Sequence, residues 1–419
     1  MSNPLRVLIE ARLAHGSSGG VEVVLQGLAR GLAGVEDQEY TFLTHANETD
    51  WFSEHLGANA KILRSDPAPP RRTTSPPAHR RSWGPAVRTL ADEVRSARWH
   101  VAGRLDRVGL RSVLPPADVD TGPFDVVHFP FQRGFRTDVA SVFQPHDLQH
   151  HHLPELFTRA ERARRDAVYG ALAAQAEKVV VGTRWVASDL ARWGVEPSRI
   201  RVVNLAPFVR ERSDRPDLSS VSDLPSEFAL YPAATWPHKN HARLIEALAV
   251  LAESGTTIPL VLTGHETDLK GELEALARRR GVAGSVHFLG FTPDDVLAHL
   301  YARARLVVIP TLFESASFPV WEAFAHGVPV ACSAVTALPD QVGDAAVLFD
   351  PVDVSSMARA IRTAWSDEAL RVQLTAGGHA RIQGLSWAAT GRRMALVYRD
   401  AAGIANESEM HELLAPTRL

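Results

Sequence analysis

Only one cysteine, Cys332, occurs in this 419-residue chain. A disulfide framework is therefore excluded, and a reducing compartment, the cytoplasm, is expected. Cys332 closes the apolar run Val328-Pro329-Val330-Ala331-Cys332 and reads as a core residue. Long hydrophobic runs are also missing: no stretch approaches the roughly 20 apolar residues of a membrane span. Met1-Ser2-Asn3-Pro4-Leu5-Arg6 leads directly into Val7-Leu8-Ile9 without a signal-peptide core. Neither charge sign dominates, since 45 basic against 48 acidic side chains leave a net charge of −3; a general polyanion binder is excluded. Two catalytic signatures are absent as well, the G-x-G-x-x-G dinucleotide fingerprint and the G-x-S-x-G nucleophile elbow.

What is present is an alternation of strand-like apolar runs with amphipathic helical stretches, the pattern of α/β architecture with parallel sheets. Strands are expected at 5–9, 40–44, 125–130, 139–143, 178–182 and 200–204, then at 228–232, 259–263, 285–288, 305–310, 328–332 and 346–349. Helices are expected at 20–33, 155–176 and 184–193, then at 240–253, 268–280, 293–303, 319–326 and 353–366. The length suits two domains: 1–206, a linker at 207–226 rich in Asp, Ser, Arg and Pro, and 227–385, followed by a C-terminal helix and tail at 386–419 crossing back to the first domain. Each half reads as a doubly wound sheet, which places ligands outside the carboxyl ends of the strands. An irregular insertion, 64–123, opens with a Pro-rich loop at 66–77. It continues as a basic helix over 85–113 with Arg88, Arg95, Arg98, Arg104, Arg107 and Arg111 against Asp92, Glu93 and Asp106. That face suits an anionic membrane surface or a phosphorylated acceptor, or it is simply solvated; without aromatic platforms it does not suit nucleic acid.

The residues that carry chemistry lie at strand ends. Glu314 and Glu322, eight positions apart, bracket a loop and the Pro319-marked start of a helix, where unpaired N–H groups favour a diphosphate. Both carboxylates can accept hydrogen bonds from sugar and ribose hydroxyls. A glycosidase acid/nucleophile pair would need a fixed separation that spacing alone does not supply. Gly19-Gly20 follows the first strand and can admit a ligand to the backbone. Trp236-Pro237-His238-Lys239-Asn240-His241 turns from strand to helix and offers Lys239 as a point charge for phosphate. His146 stands at a strand end facing the expected cleft. His150-His151-His152 raise the question of metal, but consecutive side chains should diverge and no carboxylate follows at ligand spacing, so no metal site is assigned.

Together these segments resemble glycosyltransferase family 4, the retaining nucleotide-sugar transferases of the GT-B fold. The resemblance covers nearly the whole chain in order: Gly19-Gly20, His146, Val181-Gly182-Thr183, the Pro-His-Lys-Asn turn, Leu289-Gly290-Phe291, Glu314 with Glu322, Gly327-Val328-Pro329-Val330 and Leu338-Pro339-Asp340 with Gly343-Asp344-Ala345. It implies two Rossmann-like domains facing each other across a cleft, acceptor on the first and donor on the second. It implies that Glu322 holds the ribose and Glu314 the transferred sugar, and that amides around Ser317, Phe318, Pro319 and Val320 serve sugar and phosphates. Lys239, with neighbours His238 and Asn240, would meet the diphosphate. The Phe291 backbone would meet the base, His146 the sugar near the reacting carbon, and Gly20 would let its loop close. Catalytic roles thus fall to His146, Lys239 and Glu314. No metal and no cofactor beyond the nucleoside-diphosphate sugar is implied, and the leaving phosphate would accept the acceptor's proton.

Two positions depart from the family pattern. Ala234 stands where an arginine accompanies the lysine, with His238 a candidate for the missing charge. Ser317 stands where a glycine is common. A sugar-nucleotide epimerase or coupling enzyme of the same fold, or a weakly catalytic sugar-nucleotide-binding subunit, are the alternatives.

Overall fold

The computed structural model describes residues 3–13, 19–46, 51, 53–65, 85–107, 112–208, 218 and 221–415. It divides into two compact units, Met1–Leu205 with Ser386–Arg418, and Ala206–Leu385.

In the first unit the strands are β1 (Leu5–Glu10), β2 (Gln38–Thr44), β3 (Ala60–Arg64), β4 (Val126–Phe129), β5 (Ala140–Phe143), β6 (Lys178–Val181) and β7 (Ile200–Val202). They form one sheet in the order β3-β2-β1-β4-β5-β6-β7. Every pairing is parallel, for example Val7↔Tyr40 and Val7↔Val126. The helices are α1 (Gly19–Leu32), α2 (Pro85–Arg107), α3 (Gln149–His152), α4 (Arg159–Gln175) and α5 (Arg184–Trp193). Helices cover both faces of such a sheet, so its central strands read as continuous apolar runs; all of β4 is buried.

In the second unit the strands are β8 (Ala229–Pro232), β9 (Leu260–Thr263), β10 (Val286–Phe288), β11 (Leu306–Ile309), β12 (Val330–Ser333) and β13 (Ala346–Phe349), in the order β10-β9-β8-β11-β12-β13. Around them lie α6 (His241–Glu253), α7 (Lys270–Arg279), α8 (Asp294–Arg303), α9 (Phe318–Ala325), α10 (Leu338–Val342), α11 (Val354–Ser366) and α12 (Glu368–Ile382). Cys332 is fully buried in β12, and burial pushes its thiol pKa up, so it is an inert core residue.

The chain then returns to the first unit as α13 (Trp387–Ala401) and α14 (Glu407–Leu414). Helix α13 crosses α1 backbone to backbone. A Cβ on Gly31 would lie 2.1 Å from the Trp387 carbonyl oxygen, and one on Gly391 would lie 2.2 Å from the Gly31 carbonyl carbon. Met394, Val397 and Tyr398 join the core of β1, β2 and α1. Asp400 accepts hydrogen bonds from Arg201 at 2.7 Å and pairs with Lys178 at 3.1 Å, and the Tyr398 hydroxyl meets His128 Nδ1 at 2.9 Å.

Several local expectations change. The stretch 155–176 is not one helix: a 3₁₀ turn, Pro154–Leu156, precedes α4, because Thr158 and Glu161 form a capping box that starts the helix at Arg159. Strand β3 falls just before the Pro-rich stretch and carries no continuous apolar run. The basic helix ends at Arg107; Arg111 and the Pro-rich loop at 66–77 lie outside the described residues, as does most of 207–226. The acids of α2 are each engaged: Asp92 accepts from the Arg159 amide at 2.9 Å, Glu93 from the Arg159 side chain at 3.2 Å and Asp106 from the Val113 amide at 2.7 Å. Arg98, Arg104 and Arg107 are exposed. No described helix is long and apolar enough to cross a membrane.

Candidate functional site

The second unit's sheet is wound outward in opposite directions from the adjacent strands β8 and β11, so a crevice is expected at their carboxyl ends. Lys239 arrives there from β8 and Glu314 from β11. Their side chains meet, Nζ to Oε1, at 2.5 Å, 22% and 12% exposed.

Each partner is held by its own turn. Asn240 takes the left-handed conformation (φ 61°), which asparagine tolerates better than most residues. Its side-chain amide is buried and donates to the carbonyls of Pro310 at 2.8 Å and Pro351 at 2.9 Å. That fastens the lysine turn to the ends of β11 and β13. The His238 carbonyl accepts from the Leu312 amide at 2.8 Å, and the Tyr231 hydroxyl donates to the Lys239 carbonyl at 3.0 Å. On the other side, Thr336 (φ 50°) accepts from the Glu314 amide at 3.0 Å and donates to its carbonyl at 2.6 Å.

Next to this pair, α9 begins without a side-chain cap. Ser317, at the N-cap, is extended (φ −105°), so its backbone does not require glycine. Gln341 clamps it from α10: the Ser317 amide donates to Oε1 at 2.9 Å, and Nε2 donates to the Ser317 carbonyl at 2.8 Å. The Ser317 amide is therefore engaged rather than outward-facing as expected, and its hydroxyl is buried with no partner among the described residues. The helix start still presents the positive end of its dipole, with Pro319 in its first turn and Val320 fully buried. Phe318 packs edge-on against Trp321, centroids 5.6 Å apart. Glu322, one turn in, is buried and accepts from the Tyr301 hydroxyl at 2.7 Å; Tyr301 in turn stacks on His326 at 5.3 Å.

The loops after β8, β9 and β10 close the other side. Gly264 (φ 131°) must be glycine, since a Cβ would lie 2.7 Å from the Ala233 carbonyl carbon. Its amide donates to the Gly290 carbonyl at 2.8 Å, and Thr263 donates to the same oxygen at 3.0 Å. Phe291 follows, 77% exposed.

Positive charge on the lysine turn itself is sparse. Burial, together with Lys239 and His241, lowers the His238 pKa to about 3, so at neutral pH it does not supply the charge missing at Ala234. Burial lowers His241 to about 4, offset in part by its hydrogen bond to the Ala233 backbone. Burial and the nearby Glu314 hold the Tyr231 phenol far above its ordinary value. Lys239 remains the cation of the turn.

The remaining expected residues belong to the first unit. Gly19 and Gly20 open α1, and a Cβ on either would meet nothing within 4 Å. Packing does not demand them; they leave open backbone, with 14–18 outside the described residues. His146 (φ 65°) follows β5, its Nε2 2.7 Å from the Pro130 carbonyl at the end of β4. Burial lowers its pKa, opposed by Asp147.

The histidine run needs a correction. His150 and His151 do not diverge: both Nε2 atoms reach Asp166 Oδ1, at 3.1 and 2.7 Å, because the one-turn α3 packs against α4. His152 goes instead to Asp189 at 2.8 Å. The carboxylate comes from α4, a helix later, beyond any local spacing motif. Gly264, Tyr301, Thr336 and Gln341 also escaped the reading of the sequence, since each acts on a residue distant in the chain.

Two family models match the chain, Glycosyltransferase Family 4 over residues 18–205 and Glycosyl transferases group 1 over residues 216–381. Among curated relatives, O-antigen chain mannosyltransferase B of Escherichia coli is 38% identical over 161 residues, 38% of this chain and 42% of that protein. The serotype-specific mannosyltransferase WbdA of Escherichia coli is 33% identical over 242 residues, 55% of this chain and 28% of that protein. This chain thus spans less than half the length of either relative. Among solved structures, Anabaena HepE in complex with UDP and glucose superposes with a TM-score of 0.64 at 17% identity, over 93% of this chain and 98% of that one. The chain belongs to the family 4 glycosyltransferases. Its two parallel-sheet α/β units are those of the GT-B fold.

Proposed function

We propose that this chain is a retaining glycosyltransferase. It moves a hexosyl unit, mannose by the names of its relatives, from a nucleoside diphosphate to a hydroxyl acceptor without a metal ion. The observation that carries the reading is the Lys239–Glu314 pair, 2.5 Å apart, beside the uncapped start of α9. Without a donor the two groups satisfy each other. A diphosphate against the helix start gives the ammonium a second anionic partner, and the released carboxylate can accept a hydroxyl of the sugar. As the glycosidic bond to the diphosphate breaks, negative charge grows on the phosphate oxygens, where Lys239 and the helix dipole stabilise it. Glu322 accepts from the ribose, and its bond from Tyr301 fixes the carboxylate for that role. HepE, of the same fold, is held with UDP and glucose, which supports a nucleotide-sugar donor. The acceptor falls to the first unit, and the exposed arginines of α2 suit an anionic acceptor or surface.

The test is incubation of the purified chain, with a chelator present, with UDP- and GDP-linked hexoses, following nucleoside diphosphate release and thermal shift. At least one donor should be hydrolysed slowly and raise the melting temperature; a null result across the panel overturns the donor assignment. Proton NMR of the transferred sugar's anomeric centre then reads retention or inversion.

A further inference from the structure

A second cluster of chemistry lies in the first unit, on residues that carry no donor role. His150 and His151 on α3 and Asp166 on α4 bring two imidazole nitrogens and a carboxylate oxygen together, all within 4.8 Å of one another. We propose that this cluster is a binding site for a divalent transition-metal ion that clasps α3 to α4.

The donor set is the first argument. Two imidazoles and one carboxylate suit zinc and its first-row neighbours, with the remaining coordination positions taken by water. The spacing is the second. Ligands about 2.0–2.2 Å from a tetrahedral ion stand roughly 3.3 Å from one another, and here the nitrogens stand 3.1 and 2.7 Å from Asp166 Oδ1. To admit the ion His150 must move outward by roughly 0.2 Å and His151 by roughly 0.6 Å. Access is the third. His151 and Asp166 line a cleft of about 720 Å³ whose walls also include Trp99, His100 and Trp193, so the free positions face solvent while His150 sits behind, 1% exposed.

Without an ion, each ring holds a proton on Nε2 and donates it to Asp166. On binding, Nε2 becomes the ligand and the proton moves to Nδ1. The Nδ1 of His150 is buried with no partner among the described residues. An absent outer-shell acceptor typically costs 10–100-fold in metal affinity, so the site binds more weakly than one with both rings supported. The clasp begins four residues after His146, so the ion would stiffen the segment that carries this histidine.

The full chain, freed of metal by chelation and dialysis, should take up one Zn²⁺ by isothermal titration calorimetry, and Co²⁺ should give visible ligand-field absorption. Asp166→Asn and His151→Gln, both at partly exposed positions, should each weaken Zn²⁺ at least about tenfold. His152→Ala, which removes the neighbouring partner of Asp189, should leave binding intact. Circular dichroism shows which variants fold, and His151→Gln alone decides if Asp166→Asn does not. No Zn²⁺ uptake, or uptake unchanged by the triad substitutions, overturns the proposal and leaves Asp166 as a plain hydrogen-bond acceptor for two histidines.

Discussion

At the scale of single residues, the second unit separates groups that hold the site from groups that would touch a donor. Asn240 belongs to the first kind. Asn240→Ala leaves two carbonyls unpaired and places alanine at φ 61°; a loss of about 2–4 kcal/mol is expected, visible as a lowered thermal midpoint. Lys239 and Glu322 belong to the second kind, with different signatures. Lys239→Ala should reduce kcat by roughly 10²–10³-fold, the usual cost of losing one group that stabilises developing charge. Glu322→Ala should weaken nucleotide binding by about 1.5–3 kcal/mol, measured by calorimetry with the nucleoside diphosphate, and change kcat less. Equal effects on both parameters in the two variants would contradict this division. The places of Lys239, Glu314 and Glu322 in the fold were legible in the sequence because each sits where a strand ends or a helix begins. Their supports were not: Thr336 lies 22 positions from Glu314 and Gln341 lies 24 from Ser317, and only the folded sheet makes them neighbours.

At the scale of elements, the close crossing of α1 and α13 depends on glycine. Gly391→Ala should lower the thermal midpoint by several degrees, because the added methyl overlaps a backbone carbonyl with little room to move; overpacking of this kind costs about 1–3 kcal/mol. Gly34→Ala, where a Cβ meets nothing within 4 Å, serves as the control and should be nearly neutral. Most strands were readable as apolar runs because a sheet covered on both faces has no polar side to interrupt them. Strand β3 was not: its residues are exposed or half-buried at the sheet's edge, next to Pro-rich sequence. The one-turn α3 was hidden for another reason, since a four-residue helix carries no periodicity to detect.

At the scale of the whole molecule, buried histidines set a pH dependence. His128 and His238 have pKa values lowered to about 3 and His241 to about 4, whereas unfolded histidine titrates near pH 6.5. Below that pH the unfolded chain binds protons that the folded chain refuses. Stability therefore falls between about pH 6.5 and 4, with an upper limit of about 1.4 kcal/mol per pH unit for each histidine. His151 works the other way: Asp166 raises its pKa, so its contribution is complete below about pH 6.5 and fades as pH rises through the folded value. Midpoints measured at pH 7.5, 6.5 and 5 should change little between the first two and drop clearly at the third. A midpoint that rises on acidification would contradict the burial of these rings.

The return of α13 to the first unit also bears on how the chain folds as it is made. Seven strands of that unit leave the ribosome early, yet Met394, Val397 and Tyr398, which complete their core, come after the whole second unit. The later unit, contiguous in sequence, can therefore settle first, while the earlier one waits with part of its apolar surface open. A chain ended at Leu385 should keep a folded second unit and lose cooperative melting of the first, which limited proteolysis would reveal as a surviving fragment from the second unit.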